Sequence, residues 1–316
     1  MGFIPGRIFH NPRSADTRER SELEETFEEI VERTGGFPVN AAHRGGGGEF
    51  GPENTMYSFR KAVACGARLL EVDLRLTRDG ELCIIHDAFV DRTTSGSGPV
   101  YAHLLTEMRA LNAAHHYPEL GHMGVPSFAE FLTEFAPVKD LLLFLDFKDE
   151  EAVRVALRMM APLHLANRCM LGSVFEECNQ FLRDVRHSSS VPLCTDTKQG
   201  ILITVAHDTG LWERLHFTHD VYGFMLRKET RRFWSRSLVE AVHRAGPRVL
   251  VCGGDLSTKG ALRECVDYGV DYIMTDRPDL LQEVLAKKYF IRSRSPPDSS
   301  RLAYPAQYRT PPPPRD

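Results

Sequence analysis

The chain has 316 residues, of which 42% are hydrophobic, and a formal net charge of -4. That length and apolar content suit one large α/β domain with a full core. The acidic balance excludes the basic footprint of a nucleic-acid binder, and no run reaches the ~18 consecutive apolar residues that span a bilayer.

In chain order, residues 1–16 carry Pro5, Gly6 and Pro12 and read as irregular. Thr17 to Arg33 reads as an amphipathic helix, with Leu23, Phe27 and Ile30 on one face. Gly35-Gly36 and Pro38 stop it. Such a helix either plugs the bottom of a barrel or leads into it.

From residue 39, short apolar runs alternate with amphipathic stretches. The runs are Val39–Ala42, Leu69–Leu74, Leu141–Phe147, Met170–Val174, Val191–Cys194, Val221–Leu226, Val249–Cys252 and Tyr272–Met274. Helical stretches between them include Met56–Ala64, Glu151–Met159, Ser235–Ala245 and Thr258–Tyr268. Eight strand-helix units in sequence predict an α/β fold of the TIM (β/α)8 barrel type. A doubly wound open sheet is the alternative, although no Gly-x-Gly-x-x-Gly follows any of these strands.

The run Leu82–Ile85 stands outside the count. It follows Asp79-Gly80, a two-residue hairpin signal that sets Asp73 opposite His86. We read it as the return arm of a hairpin above the barrel mouth. Ala88 to Pro126, with Gly96, Gly98, Pro99 and Pro118, then reads as an inserted cap after strand two. After Tyr289 the composition changes: Pro296-Pro297 and Pro311 to Pro314 appear, and residues 287–316 carry seven Lys or Arg against two Asp. The expected organisation is an N-terminal extension with one helix over 1–38, a barrel over 39–288 and a disordered proline-rich tail over 289–316.

Seven cysteines at Cys65, Cys83, Cys169, Cys178, Cys194, Cys252 and Cys265 match no metal ribbon or Cys-x-x-Cys pair. An odd set inside apolar runs reads as free thiols in a reducing compartment. The first twenty residues lack the apolar centre of a secretory signal. The expectation is an intracellular, cytoplasmic protein with no transmembrane segment, with peripheral membrane contact left open.

The polar residues that end the apolar strands carry the chemistry. Strand one runs into His43-Arg44-Gly45, strand two ends in Glu71-Val72-Asp73, the hairpin returns His86-Asp87, and strand three ends in Asp146-Phe147-Lys148. In an α/β barrel these positions crowd the C-terminal mouth. Glu71 and Asp73 are two apart on a strand and share a side, as do Asp146 and Lys148. Three converging carboxylates suit a hard cation, Mg²⁺ or Ca²⁺, and zinc fits less well because no Cys joins them. A purely structural account pairs Glu71 or Asp73 with Arg75 or Lys148. The remaining charges point to an anionic substrate: Arg44 and Lys148 to bind phosphate, and His43 and His86 for acid–base work near neutral pH.

The string Ala42-His43-Arg44-Gly45, then Pro52-Glu53-Asn54-Thr55, resembles the opening of glycerophosphodiester phosphodiesterases. Glu71-Val72-Asp73, Thr77, Asp79-Gly80 and His86-Asp87 continue the resemblance, and Gly269-Val270-Asp271 with Thr275-Asp276-Arg277-Pro278 resembles the family's closing strand. It covers roughly residues 39–285. The resemblance implies a barrel of the phospholipase-C-like phosphodiesterase type and a phosphoric diester hydrolase. It implies a divalent metal on Glu71, Asp73 and a strand-three carboxylate, catalytic histidines at His43 and His86, phosphate on Arg44, and first-loop support from Glu53 and Asn54. The implied substrate is a glycerophosphodiester or lysophospholipid.

Two departures matter. The third carboxylate is Asp146 where the family normally has Glu, a feature shared with phosphatidylglycerol-type phospholipases C. Where many members have Trp-Thr-Val-Asn, this chain reads Val251-Cys252-Gly253-Gly254-Asp255, so an aromatic wall is missing. The rival readings are a catalytically silent barrel that binds a phosphorylated ligand or a protein partner, and a metal-dependent aldolase or isomerase, whose ligands spread over more strands.

Overall fold

The computed structural model describes residues 25–186, 191–195, 197–212, 215 and 218–292. Strands β1 (Val39–Ala42), β2 (Leu69–Leu76), β4 (Leu142–Phe147), β5 (Cys169–Gly172), β6 (Val221–Met225), β7 (Arg248–Cys252) and β8 (Tyr272–Thr275) run parallel in the order β5-β4-β2-β1-β8-β7-β6. The run predicted at Val191–Cys194 joins the two edges through single parallel bridges, Leu193 to Leu171 and Cys194 to Val221. Eight parallel positions therefore curl into the predicted barrel. Helices α2 (Met56–Ala64), α4 (Phe128–Phe135), α5 (Glu150–Met160), α6 (Glu176–Arg186), α7 (Thr197–Thr209), α8 (Arg236–Ala245), α9 (Lys259–Tyr268) and α10 (Pro278–Arg292) follow the strands. Their starts are set locally: Thr55, Ser127, Asp149, Ser235 and Thr258 each accept a backbone N–H of the first turn.

Alternation along each strand sorts the core into layers. Leu70, Val72 and Leu74 of β2 pack outward beneath the helices with Phe59 and Phe131. Leu69, Leu142, Met170, Val221 and Tyr272 fill the barrel interior. Helix α1 (Phe27–Arg33) buries Phe27, Ile30 and Val31 in that same interior cluster, so it plugs the bottom. It is shorter than the predicted Thr17–Arg33. Thr26 caps it in a reciprocal box with Glu29, and residues 17–24, with Leu23, lie outside the described residues.

Arg68 fastens this plug. Its guanidinium donates to Thr34 Oγ1 at 3.1 Å, Gly36 O at 2.6 Å and Pro38 O at 3.1 Å. Replacing Arg68 by Ala strips these half-buried acceptors of a charged donor. We expect a loss of about 2–3 kcal/mol, read as a lower urea midpoint at unchanged m. An unchanged midpoint would mean the plug docks without it.

Strand β3 (Leu82–Ile84) pairs antiparallel with β2 and stays off the barrel path, as predicted. Its register differs by one residue: Leu74 pairs with Ile84 and Leu76 with Leu82, so Asp73 lies opposite Ile85 and not His86. The loop holds three residues, Arg78 to Gly80, because Thr77 N–H already bonds Glu81 O at 2.9 Å. Thr77 Oγ1 braces Asp79, and Gly80 supplies the left-handed φ of 76°. The segment Ala88 to Pro126 contains helix α3 (Leu105–Ala110), and its Val90, Val100, Met108 and Val125 pack on Cys83 and Ile85 as a separate small core.

Helix α10 runs to Arg292, past the expected boundary at 288. Residues 1–24 and the predicted tail over 293–316 lie outside the described residues. All seven cysteines are free, five of them buried. Among the described residues, no helix is long and apolar enough to cross a membrane.

Candidate active site

The same alternation aims the acidic residues inward. Glu71 and Asp73 continue the inward side of Leu69, and Asp146 continues that of Leu142 and Phe144. Asp73 lies beside Asp146 in the parallel register. Carboxylate oxygens of Glu71, Asp73 and Asp146 all fall within 4.8 Å of one another. Lys148 Nζ sits 2.7 Å from Asp73 Oδ1 and 2.7 Å from Asp146 Oδ2.

The loop after β1 reaches into this cluster through unusual backbone. Arg44 and Asn54 take left-handed φ values of 54° and 56°. Asn54 N–H closes the loop on Arg44 O at 2.8 Å. Gly46, at φ 100°, has no room for a Cβ against the Phe50 ring. So folded, Arg44 N–H donates to Glu71 Oε2 at 2.7 Å and Asn54 Nδ2 to Asp73 Oδ2 at 2.7 Å. The Arg44 guanidinium lies 3.4 Å from Asp73 and donates to Glu53 at 2.9 Å.

Each histidine has a carboxylate on its Nδ1. His43 Nδ1 is 2.7 Å from Asp276 Oδ1, and His86 Nδ1 is 2.6 Å from Asp87 Oδ1. Burial opposes a charge on His43, but Asp276 and Glu71 outweigh it and raise its pKa. His86 follows Ile85, whose N–H donates to Asp73 O at 3.1 Å, and its own carbonyl accepts from Arg75 Nε at 2.8 Å, which sets it beside the end of β2. Arg92 donates to Asp87 and to both oxygens of Glu53 at 2.9 and 2.7 Å. A chain of contacts, Arg44–Glu53–Arg92–Asp87–His86, thus ties the first loop to the cap.

The carboxylates are under-compensated. Burial, then the Asp73 charge, pushes Glu71 up to about 8. Burial also raises Asp146, with Asp73 adding to it. Burial opposes ionisation of Asp73 too, yet Lys148 and Arg44 hold it well below the usual carboxylate range. Asp146 Oδ1 is buried with no hydrogen-bond partner among the described residues. An unbonded inward oxygen and three crowded carboxylates fit a divalent cation with oxygen ligands.

All nine residues singled out by sequence gather at this mouth. His43, His86, Glu71, Asp73 and Asp146 converge; Glu53 and Asn54 brace the loop and Asp73. Arg44 and Lys148, predicted for phosphate, also hold the carboxylates here, so part of the structural pairing considered from sequence is present. Sequence reasoning did not assign roles to Asp276, Asp87 and Arg92. Asp276 follows β8 as His43 follows β1, and extending the survey of strand ends to the last strand would have found it. Arg92 carried no such signal.

A family model described as the glycerophosphoryl diester phosphodiesterase family matches residues 43–280. The chain is 29% identical over 259 residues to a glycerophosphodiester phosphodiesterase of Caldanaerobacter subterraneus subsp. tengcongensis, covering 78% of this chain and 97% of that one. Several other curated relatives match at 36–39% identity over about a third of this chain, and there the chain spans only 33–44% of their length. Among solved structures, a glycerophosphodiester phosphodiesterase from Agrobacterium tumefaciens str. C58 superposes with a TM-score of 0.62 at 26% identity, covering 77% of this chain and 98% of that one. An Oleispira antarctica phosphodiesterase, solved with the product sn-glycerol-3-phosphate, superposes with a TM-score of 0.64 at 21% identity over 78% of this chain and 95% of that one.

Proposed function

Because this chain belongs to the glycerophosphoryl diester phosphodiesterase family, we propose that it hydrolyses a glycerophosphodiester to a glycerol phosphate and an alcohol at the mouth of its barrel. One observation carries this reading: a cluster of three carboxylates flanked by two carboxylate-bound imidazoles. Glu71, Asp73 and Asp146 would hold a divalent cation, and their oxygen-only chemistry suits Mg²⁺ or Ca²⁺. When bound, that ion would neutralise charge on the phosphate oxygens and polarise the phosphorus–oxygen bonds.

The chain's own residues supply the rest. Arg44 and Lys148 add fixed positive charge where the phosphate would lie. With Nδ1 of each imidazole engaged, Nε2 is the nitrogen left to exchange a proton. Asp276 favours the protonated ring of His43, which suits it to protonate the leaving alkoxide. His86, beside Asp73 and Asp146, then takes the proton from the attacking oxygen. Glu53, through Arg44 and Arg92, holds both ends of this arrangement.

The attacking oxygen is either water or the neighbouring glycerol hydroxyl, and the two give different products. Incubation with glycerophosphocholine or glycerophosphoglycerol, followed by phosphorus NMR, should show glycerol 3-phosphate without a cyclic phosphate resonance. A persistent cyclic phosphate would identify attack by the hydroxyl. No turnover with any divalent ion would favour the silent barrel.

A further inference from the structure

The two histidine–carboxylate pairs of the mouth are built alike up to the carboxylate and differ behind it. His43 Nδ1 meets Asp276 Oδ1 at 2.7 Å, and His86 Nδ1 meets Asp87 Oδ1 at 2.6 Å. Among the described residues, the Asp276 carboxylate makes no ion pair with an arginine or lysine. Arg277, the next residue, turns to Asp279 and Glu49 instead. Asp87, by contrast, is backed by the Arg92 guanidinium. Nε donates to Asp87 Oδ2, and Nη2 donates to Oδ1 at 3.1 Å. The same fork reaches Glu53, with Nη1 2.9 Å from Oε2 and Nη2 2.7 Å from Oε1.

Arg92 stands on a firm mount. Thr94 N–H donates to Val90 O at 3.1 Å and Thr94 Oγ1 to the same oxygen at 2.8 Å, which closes a turn around it. Val90 and Thr94 are buried at the two ends of that turn, and Val90 belongs to the small core of the cap. The Arg92 carbonyl lies 3.0 Å from His116 Nε2. Asp91, the acid beside it, accepts Gly98 N–H at 3.0 Å and so leaves the guanidinium to Asp87 and Glu53.

A planar fork on one carboxylate does two things. It fixes the plane of Asp87, and with it the direction from which Oδ1 meets the ring. It also shares the carboxylate's charge. A carboxylate alone on Nδ1 favours the imidazolium, and one already paired with a guanidinium favours it less. Burial opposes ionisation of Asp87, yet Arg92 and then His86 bring it down to about 2, so it is an acceptor at neutral pH. Burial opposes ionisation of Asp276 too, and there His43 itself does most to lower it.

We propose that Arg92 is the positioning residue that makes the two pairs unequal: it orients Asp87 and shares its charge, which leaves His86 with a proton on Nδ1 and a bare Nε2, while the unbacked Asp276 keeps His43 as the proton donor. The assignment rests on the phosphodiesterase reading. The attacking oxygen bonds phosphorus and its proton passes to His86 Nε2. The bond to the alcohol breaks, and the leaving alkoxide takes the proton of His43 Nε2. Exchange with solvent then restores both rings. Arg92 acts only through Asp87. Arg75, whose Nε donates to the His86 carbonyl at 2.8 Å, and Asp73, whose carbonyl accepts Ile85 N–H at 3.1 Å, also flank His86, and both are untouched in an Arg92 variant.

The test uses the full chain, glycerophosphocholine, and Mg²⁺ or Ca²⁺. Arg92→Met should lower kcat by roughly 10- to 100-fold with KM little changed. It should also move the acidic limb of the kcat/KM profile to higher pH, because the unshared Asp87 charge now favours the protonated ring. Arg92→Lys keeps the charge without the fork, so it should recover part of the rate and return the limb to its native place. Millimolar guanidinium ion should restore Arg92→Met several-fold and leave the native protein unchanged. Equal losses in the Met and Lys variants, with an unmoved limb and no rescue, would make Arg92 a strut of the cap and overturn the proposal. Nitrogen NMR of histidine-labelled protein reads the ring without turnover, with His86 assigned by its loss in His86→Gln. Native His86 should carry its proton on Nδ1 alone at neutral pH, and Arg92→Met should shift it towards the doubly protonated ring. Should the native protein turn nothing over, that NMR change keeps the role of Arg92 and removes the hydrolase, whereas an unchanged ring overturns the role itself.

Discussion

His43→Ala and His86→Ala should each lower kcat by at least ~10², the usual contribution of a positioned acid or base. Each ring is held at Nδ1 by its own carboxylate, Asp276 at 2.7 Å and Asp87 at 2.6 Å. The loss should therefore appear in kcat and kcat/KM together, with the folded state intact by circular dichroism. The double variant should be little worse than either single one, because two groups that move protons in one reaction are not additive. Asp276→Asn acts through His43 and should cost less, on the order of 10- to 100-fold. It should also lower the pH above which activity falls, because the contact that favours the protonated ring is weakened. A truncation of tilt alone would leave that profile where it was. Either alanine variant turning over within twofold of the native rate would remove that histidine from acid–base catalysis.

Chelation by EDTA is expected to lower turnover by on the order of 10³ or more, with recovery on adding back Mg²⁺ or Ca²⁺. The expectation follows from charge. Three carboxylates within 4.8 Å, Glu71 and Asp73 buried and Asp146 half-buried, are met by Lys148 and Arg44, and Glu71 is still pushed up to about 8. A divalent ion would relieve that repulsion and give the unbonded Asp146 Oδ1 a partner. Thermal melting supplies a readout free of catalysis: an ion at a hundredfold excess over its Kd should stabilise the fold by ~2.7 kcal/mol. Asp146→Asn should weaken that shift and raise the ion concentration needed for half-maximal rate. Full activity in EDTA together with an unmoved Tm would show that the cluster holds no catalytic cation.

Local periodicity was enough to read the barrel. Each apolar run from Val39 to Met274 became a parallel strand or, at Leu193 and Cys194, a pair of bridges. The helix over Met56–Ala64 lies where its spacing placed it. The carboxylates were legible for the same reason: a strand has a period of two, so Glu71 and Asp73 had to share a side with Leu69. The hairpin register was not legible. Asp79-Gly80 suggested a two-residue turn, but the Thr77 side chain and backbone both bind within the loop and lengthen it by one residue.

What the amino-acid order decides, then, is which way each side chain faces along its own strand, because that depends on neighbours two residues away. Which strands become neighbours depends on closure of the sheet. Only the pairing of β1 with β8 brings Asp276 to His43, across 233 positions of chain. Only the folded cap brings Arg92 between Glu53 and Asp87. Neither contact is encoded within a segment, since no periodicity along one strand specifies what lies across a barrel from it.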